Sequence, residues 1–335
     1  MPITLMTSTE LTIGSTEFQA SHPKLHHYTA KPGLEGIVQS NSLWATRYRD
    51  LNDSAEIIHL KVPLAQALAP RFDEIVERRN PNRHLRRLYE KTGGSAKLAK
   101  DLVDSLYGAT FEGTGFTALD AFAVCFCTHA DDRLYEREHG LLSQWRGYSG
   151  QDGYCLVFDT AGLCRLLGQE FDSRYWVHLQ IDAVRYAIDG KPLDTHFPSL
   201  ASAAAHSLQQ FFDGTPFPEL GVTDFLTGAT FLKHQGFHEE REVRIVAIPG
   251  TAALRDRARI EQADFPDLPL PDIRIRPQSE RRYIPLFDGR GVQLPIERVI
   301  VGPSRNQDAN AAFARALLGT SIPVTRSATP WLPPH

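Results

Sequence analysis

Glu239-Glu240-Arg241-Glu242-Val243-Arg244 is the segment whose residue types and spacing point most directly to chemistry. In an extended chain alternate residues share a face, so Glu240, Glu242 and Arg244 project together, with the two glutamate Cα atoms roughly 7 Å apart. Taken alone, such a segment is more often the charged face of an edge strand. Read as a site, it is a carboxylate pair whose ionisation the neighbouring guanidinium sets. A carboxylate suits cleavage of a glycosidic bond, because positive charge develops on the sugar ring in the transition state. His27-Tyr28 is the second feature. An imidazole hydrogen-bonds a ribose and a phenol ring stacks on a base, although the same pair also fits a partly buried polar strand.

Other motifs are weaker. Gly302-Pro303-Ser304 opens a helical pattern, where a phosphate could sit at the helix N-terminus, but it lacks the glycine spacing of a phosphate loop and reads as a turn. His234 and His238 stand four apart, without the glutamate of a zinc-protease motif between them and with Gly236 weakening a helix. Ser143 has no nucleophile-elbow context. Trp145 and Tyr148 sit among polar Gln144 and Arg146 and are expected to line a cleft or support its floor, since a buried indole N–H needs a partner.

The elements that position these residues follow from periodicity and turn chemistry. Leu25–Thr29 reads as a strand. Pro32 suits the first turn of the next helix, in which Leu34, Ile37 and Val38 recur at helical spacing, and Asn41-Ser42 ends it. Leu43–Thr46 is a second strand, followed by a turn-rich loop in which Asn52 and Asp53 are expected to be structural. From Ser54 to about Tyr107 the pattern is helical, broken at Pro81 and Gly93-Gly94. Strands are expected at Ala121–Thr128, Tyr154–Phe158, Glu242–Ile248 and Arg298–Val301, and an Ala-rich helix at Ser199–Phe212. The last helix carries a stripe of Ala309, Ala312, Phe313, Ala316 and Leu317, with capping-box spacing at Ser304 and Gln307 and Gly319 at its end. Without regular βαβ alternation the fold class is α+β. The expected organisation is an arm over 1–21, one α+β domain over 22–326 with a helical insertion at about 57–116, and a Pro-rich tail over 327–335.

Composition bounds the rest. With 335 residues, 42% hydrophobic and 23% charged, the chain can bury a large core without disulfide or metal. A formal net charge of -4 gives no global basic excess to draw nucleic acid. The cluster of Arg78, Arg79, Arg83, Arg86, Arg87 and Lys91 reads as a solvated helix face. Cys125, Cys127, Cys155 and Cys164 form no Cys-x-x-Cys pair. The polar, Thr-rich start shows no signal-peptide pattern, and no stretch approaches a membrane span, so a cytoplasmic location is expected.

Several blocks together resemble one family. They are Leu25–Thr29, Leu34–Ile37, Leu43–Thr46, Leu51–Glu56, Cys125–Thr128, Gln144–Tyr148 with Gly153–Phe158, and Glu240–Arg244. Their order is that of the bacterial domain-of-unknown-function family 2971, which in turn looks similar to the ADP-ribosyltransferase superfamily. That resemblance implies a mixed or antiparallel sheet core of ADP-ribosyltransferase type and cleavage of NAD as substrate, with no metal. It implies His27 as an NAD-binding residue, Thr128 on a supporting strand, Glu242 as the catalytic glutamate and Glu240 as its partner. Tyr28 or Tyr48 would stack on nicotinamide, and Trp145, Tyr148 and Arg244 would complete the NAD site. The acceptor of ADP-ribose would be a protein, a nucleic acid, a small molecule or water, and a toxin or defence role is consistent with the resemblance. The chain departs from the superfamily at Cys127, where a serine is expected, and at Tyr28, which lies on the same strand as the histidine. Two rival readings are a nucleotide-binding module without chemistry and a metal-dependent nuclease or phosphoesterase using Asp53, Glu56, Glu240 and Glu242.

Overall fold

The computed structural model describes residues 13–51, 56–78, 83–113, 118–129, 133–187, 192–198, 200, 202–203, 206, 222–261, 265–277, 279–289 and 291–331. The expected turn residues Asn52 and Asp53, the break at Pro81, Arg79 and most of the expected helix over 199–212 lie outside them.

The strands are β1 (Lys24–Ala30), β2 (Leu43–Arg47), β3 (Phe122–Cys127), β4 (Gly153–Asp159), β5 (Trp176–Ala183), β6 (Arg185–Ala187), β7 (Leu232–His234), β8 (Glu242–Pro249), β9 (Arg274–Ile275), β10 (Arg282–Leu286), β11 (Ile296–Val301) and β12 (Val324–Arg326). The helices are α1 (Thr16–Ser21), α2 (Lys31–Ser40), α3 (Lys61–Arg78), α4 (Arg83–Lys91), α5 (Gly94–Phe111), α6 (Leu134–His139), α7 (Leu142–Tyr148), α8 (Thr160–Ser173), α9 (Val222–Phe231), α10 (Ala252–Glu261) and α11 (Gln307–Leu318). Ten strands form one open sheet in the order β12-β11-β4-β1-β3-β2-β10-β9, with β8 paired to β3 and β5 paired to β8. Its ladders are antiparallel except that of β11 with β12. The fold is thus α+β with a mixed, largely antiparallel sheet.

Alternation along the strands divides the core. Leu25, Phe126, Phe158, Val243 and Ile245 point to the face covered by α2, α8 and α11. The opposite face has two covers. Over β3 and β8, Ala123, Val246 and Ile248 pack with Leu64, Leu68 and Phe72 of α3, Val103 and Tyr107 of α5, and Phe225 of α9. Over β1 and β4, Tyr28, Cys127, Cys155 and Val157 pack with Leu141 and Trp145 at α7. The seam between these two covers is where the pocket described below lies.

Several expectations are corrected. Glu242–Ile248 is not an edge strand: β8 runs between β3 and β5 and all eight of its residues are buried. The polar segment around Trp145, to which the sequence alone assigns no element, is the helix α7, with Gln144 and Trp145 inward. The fully buried side of α11 is Asn310, Ala311, Ala314 and Leu318, one position round from the expected stripe, of which Phe313 and Leu317 are partly buried against the core, and Asn310 donates to Asp152. Ser304 and Gln307 do not form a capping box: Gln307 Nε2 bonds the carbonyls of Gly302 and Ser327, while Gly319 ends the helix as expected. On α4, Arg83, Arg86, Arg87 and Lys91 are exposed, as a solvated face requires.

Gly140 fixes the approach of α7 to β1. It ends α6 at φ 80° and ψ 172°, a conformation essentially reserved for glycine. A Cβ there would come within 2.7 Å of both the Trp145 indole and the Tyr28 hydroxyl. Gly140→Ala is therefore expected to destabilise the protein by about 1–3 kcal/mol in urea or thermal unfolding. An unchanged midpoint would contradict this packing.

Candidate functional site

β3 has one continuous neighbour, β8, along Phe122–Cys127. Its other edge is shared: β2 pairs with Phe122 and Ala123, and β1 only with Cys127. Past His26 the strand β1 therefore leaves β3, and the ladder on that edge is open at Val124–Phe126. His27 closes part of the gap, its Nδ1 lying 2.8 Å from the Cys125 carbonyl. A carbonyl only accepts, so Nδ1 carries the proton. Burial, aided by Arg276, lowers the His27 pKa against the opposing effect of that bond. The ring is neutral, and Nε2 is left as an acceptor.

A pocket of about 200 Å³ lies at this opening. Its walls are His26, His27 and Tyr28 of β1, Leu51, Cys125–Cys127 of β3, Gln144 and Tyr148 of α7, Lys233 of β7, Phe237 and Glu240 of the 3-10 turn Gln235–Glu240, and Glu242 at the start of β8.

Four charges meet at one end. Lys233 Nζ donates to Glu240 Oε2 at 2.7 Å and to Glu242 Oε2 at 2.8 Å. Arg244 grips Glu242 with both arms, Nε on Oε1 and Nη2 on Oε2 at 2.8 Å. The Tyr148 hydroxyl donates to Glu240 Oε1 at 3.1 Å. Burial alone would raise the Glu242 pKa, but Arg244 and then Lys233 outweigh it and hold the carboxyl ionised, at about 2. Burial and the Glu240 charge raise the Tyr148 phenol, which stays protonated as the donor. The extended spacing expected of Glu240 and Glu242 is not how they meet. Glu240 ends the 3-10 turn, and Arg241 between them is left-handed at φ 44°. Lys233, rather than strand alternation, brings the two carboxylates together.

The structure thus places His27, Tyr28, Tyr148, Glu240 and Glu242 on one pocket and the other expected residues behind it. Tyr48 is buried with its hydroxyl on the Thr230 carbonyl at 2.9 Å and its ring 5.6 Å from the Arg244 guanidinium, so it supports Arg244 and does not face the pocket. Thr128 holds the Arg241 carbonyl through its N–H and hydroxyl. Trp145 is fully buried, donates to the His139 carbonyl and packs edge-on against Tyr28. It supports the floor. Arg244 reaches the pocket only through Glu242. The Tyr28 hydroxyl accepts from Leu141 N and bonds His129, which fixes the ring in place. Lys233, Cys125, Gln144 and Phe237 were not expected. The one sequence signal for Lys233 is a cation directly after the apolar Phe231-Leu232.

Among the described residues no group of three or more His, Cys, Asp or Glu is placed to hold a metal ion, and no helix is long and apolar enough to cross a membrane. His234 and His238 lie on a strand and a 3-10 turn, not on one helix. The side chains of Asp53 and Glu56 are outside the described residues.

A family model described as "Protein of unknown function (DUF2971)" matches residues 144–245. The chain is similar to that family over this segment, which carries Gln144, Tyr148, Lys233, Glu240, Glu242 and Arg244 but not His27 or Tyr28. No curated protein and no solved structure matches the chain.

The charge cluster has a measurable pH signature. The Glu242 pKa is depressed from 4.5 to about 2, so its contribution to stability is present above 4.5 and lost as pH falls towards 2. Glu242→Gln leaves Arg244 and Lys233 short of counter-charge and is expected to cost about 3–5 kcal/mol at neutral pH. The gap from wild type should narrow between pH 4.5 and 2. A gap independent of pH in urea titrations would show that Glu242 is not held as the anion.

Proposed function

We propose that this chain, similar across its middle to a family of unknown function, binds NAD at the β1–β3 opening. There it cleaves the nicotinamide–ribose bond in the manner of an ADP-ribosyltransferase. The observation that supports the reading is that one pocket is walled by a neutral imidazole and by two carboxylates, with aromatic rings beside them. Such convergence of a few polar groups in an apolar concavity is typical of small-molecule sites.

Each group has a task in that reaction. The acceptor Nε2 of His27 receives a ribose hydroxyl and fixes the sugar. The rings of Tyr148 and Phe237 flank a planar base. When the C1′–N bond breaks, its electron pair goes to the ring nitrogen of nicotinamide, which loses its positive charge. C1′ is left as an oxocarbenium centre, and the carboxylate end of the pocket stabilises it. A lone pair from the acceptor closes the new bond at C1′ and a proton leaves to solvent. The acceptor is a protein, nucleic acid, small molecule or water.

A second reading is a nucleotide-binding module without turnover. It is favoured by the double cation grip on Glu242, which ties that carboxylate to Lys233 and Arg244. The two are separated by incubating the protein with NAD in the presence of a chelator and measuring both bound NAD and released nicotinamide. Release by wild type, reduced about a hundredfold in His27→Ala, is the expected outcome. Binding without release supports the module, and release only on adding magnesium would support the metal-dependent rival.

A further inference from the structure

The two carboxylates differ in how much hydrogen-bonding capacity remains. An ionised carboxylate offers about four acceptor sites. Glu242 accepts from Arg244 Nε, Arg244 Nη2 and Lys233 Nζ, so most of its sites are filled. It is also 4% exposed. Among the described residues Glu240 accepts from Lys233 Nζ and the Tyr148 hydroxyl, and its side chain is 20% exposed. Two of its sites remain, on the pocket wall.

We propose that Glu240, and not Glu242, is the carboxylate that meets the ligand, and that Lys233 is the residue that positions it. The ligand class follows from the two remaining sites: adjacent hydroxyls, as on the cis-diol of a ribose, donate to both. The ribose identity rests on the NAD reading; the assignment of Glu240 does not. Lys233 is set for this part by its burial, its reach to both carboxylates and its place two residues before the turn that carries Glu240. Burying an ammonium is costly and seldom adds net stability. Here it ties the more exposed carboxylate of the pair to the buried one. Arg241 adds a second constraint, since its left-handed backbone turns the chain between them and is held by Thr128. Glu242 and Arg244 then form the base against which Lys233 is fixed.

The test uses the spacing of Lys233, which is nearly equal to the two carboxylates. The folded full-length protein is treated with a water-soluble carbodiimide. The reagent activates whichever carboxylate a small solute reaches, Lys233 forms an amide with it, and one water is lost. Peptide mapping is expected to show the Lys233–Glu240 link. A Lys233–Glu242 link overturns the proposal, as does the absence of any modification at Glu240. The kinetic arm measures nicotinamide release. Glu240→Gln should lower kcat about a hundredfold or more, with a smaller fall in melting temperature than Glu242→Gln because Glu240 is the more exposed of the two. Lys233→Met should lower kcat with little change in KM, and Lys233→Arg should recover at least part of it. Equal losses in both Lys233 variants, following melting temperature, would reduce Lys233 to a structural role and overturn its assignment. If wild type releases no nicotinamide yet the Glu240 link forms, the NAD reading fails and Glu240 stands as the contact for another hydroxyl-bearing ligand.

Discussion

Lys233, Glu240, Glu242 and Arg244 carry two positive and two negative charges in one hydrogen-bonded run, three of them almost wholly buried. Removing one charge from such a run exposes the others to a low-dielectric surrounding without compensation. Much of the neighbouring structure therefore serves it. The Thr230 carbonyl accepts from Arg244 and from Tyr48, the Tyr48 ring lies against the guanidinium, and the Tyr186 hydroxyl accepts from Glu242 N. These contacts link helix α9 and strand β6 to the run, and Lys233 itself lies on β7.

The location of the run follows from the sheet. β3 is a shared strand, and because β1 pairs with it at only one residue, a gap opens that neither β1 nor β2 fills. On the face above that gap the covering layer changes from α3, α5 and α9 to α7. A pocket is the physical consequence of an incomplete ladder beneath an incomplete cover. His27 occupies the gap as a hydrogen-bonding substitute for backbone, which leaves its other nitrogen for a ligand. The function proposed here depends on that coincidence of strand divergence and buried charge.

How much of this the sequence carried can be judged residue by residue. The strands at Leu25, Leu43, Tyr154 and Glu242 were legible because short apolar or alternating runs bounded by turn residues are local signals. So were His27 and the Glu240–Arg244 segment, whose residue types stand out. The central position of β8 was also in the sequence, since Ile245–Ile248 is apolar on both faces, as a strand covered on both sides must be. The flanking charges drew the reading towards an edge. Lys233 was not legible: its partners lie seven and nine residues on, and only the αL backbone at Arg241 brings them to it. Asn310 shows the same limit, since its place on the buried side of α11 goes with a long-range bond to Asp152 that no local pattern announces.

The central claim is that a nucleotide's ribose sits between His27 and the Glu240 end of the charge run. A crystal structure of the protein with a non-cleavable NAD analogue tests it most directly. The account predicts the analogue in the β1–β3 opening, with ribose hydroxyls within hydrogen-bond distance of His27 Nε2 and a Glu240 carboxylate oxygen, and with the Lys233 bridge intact. An analogue bound elsewhere on the protein, leaving His27 and Glu240 without ligand contact, would contradict it.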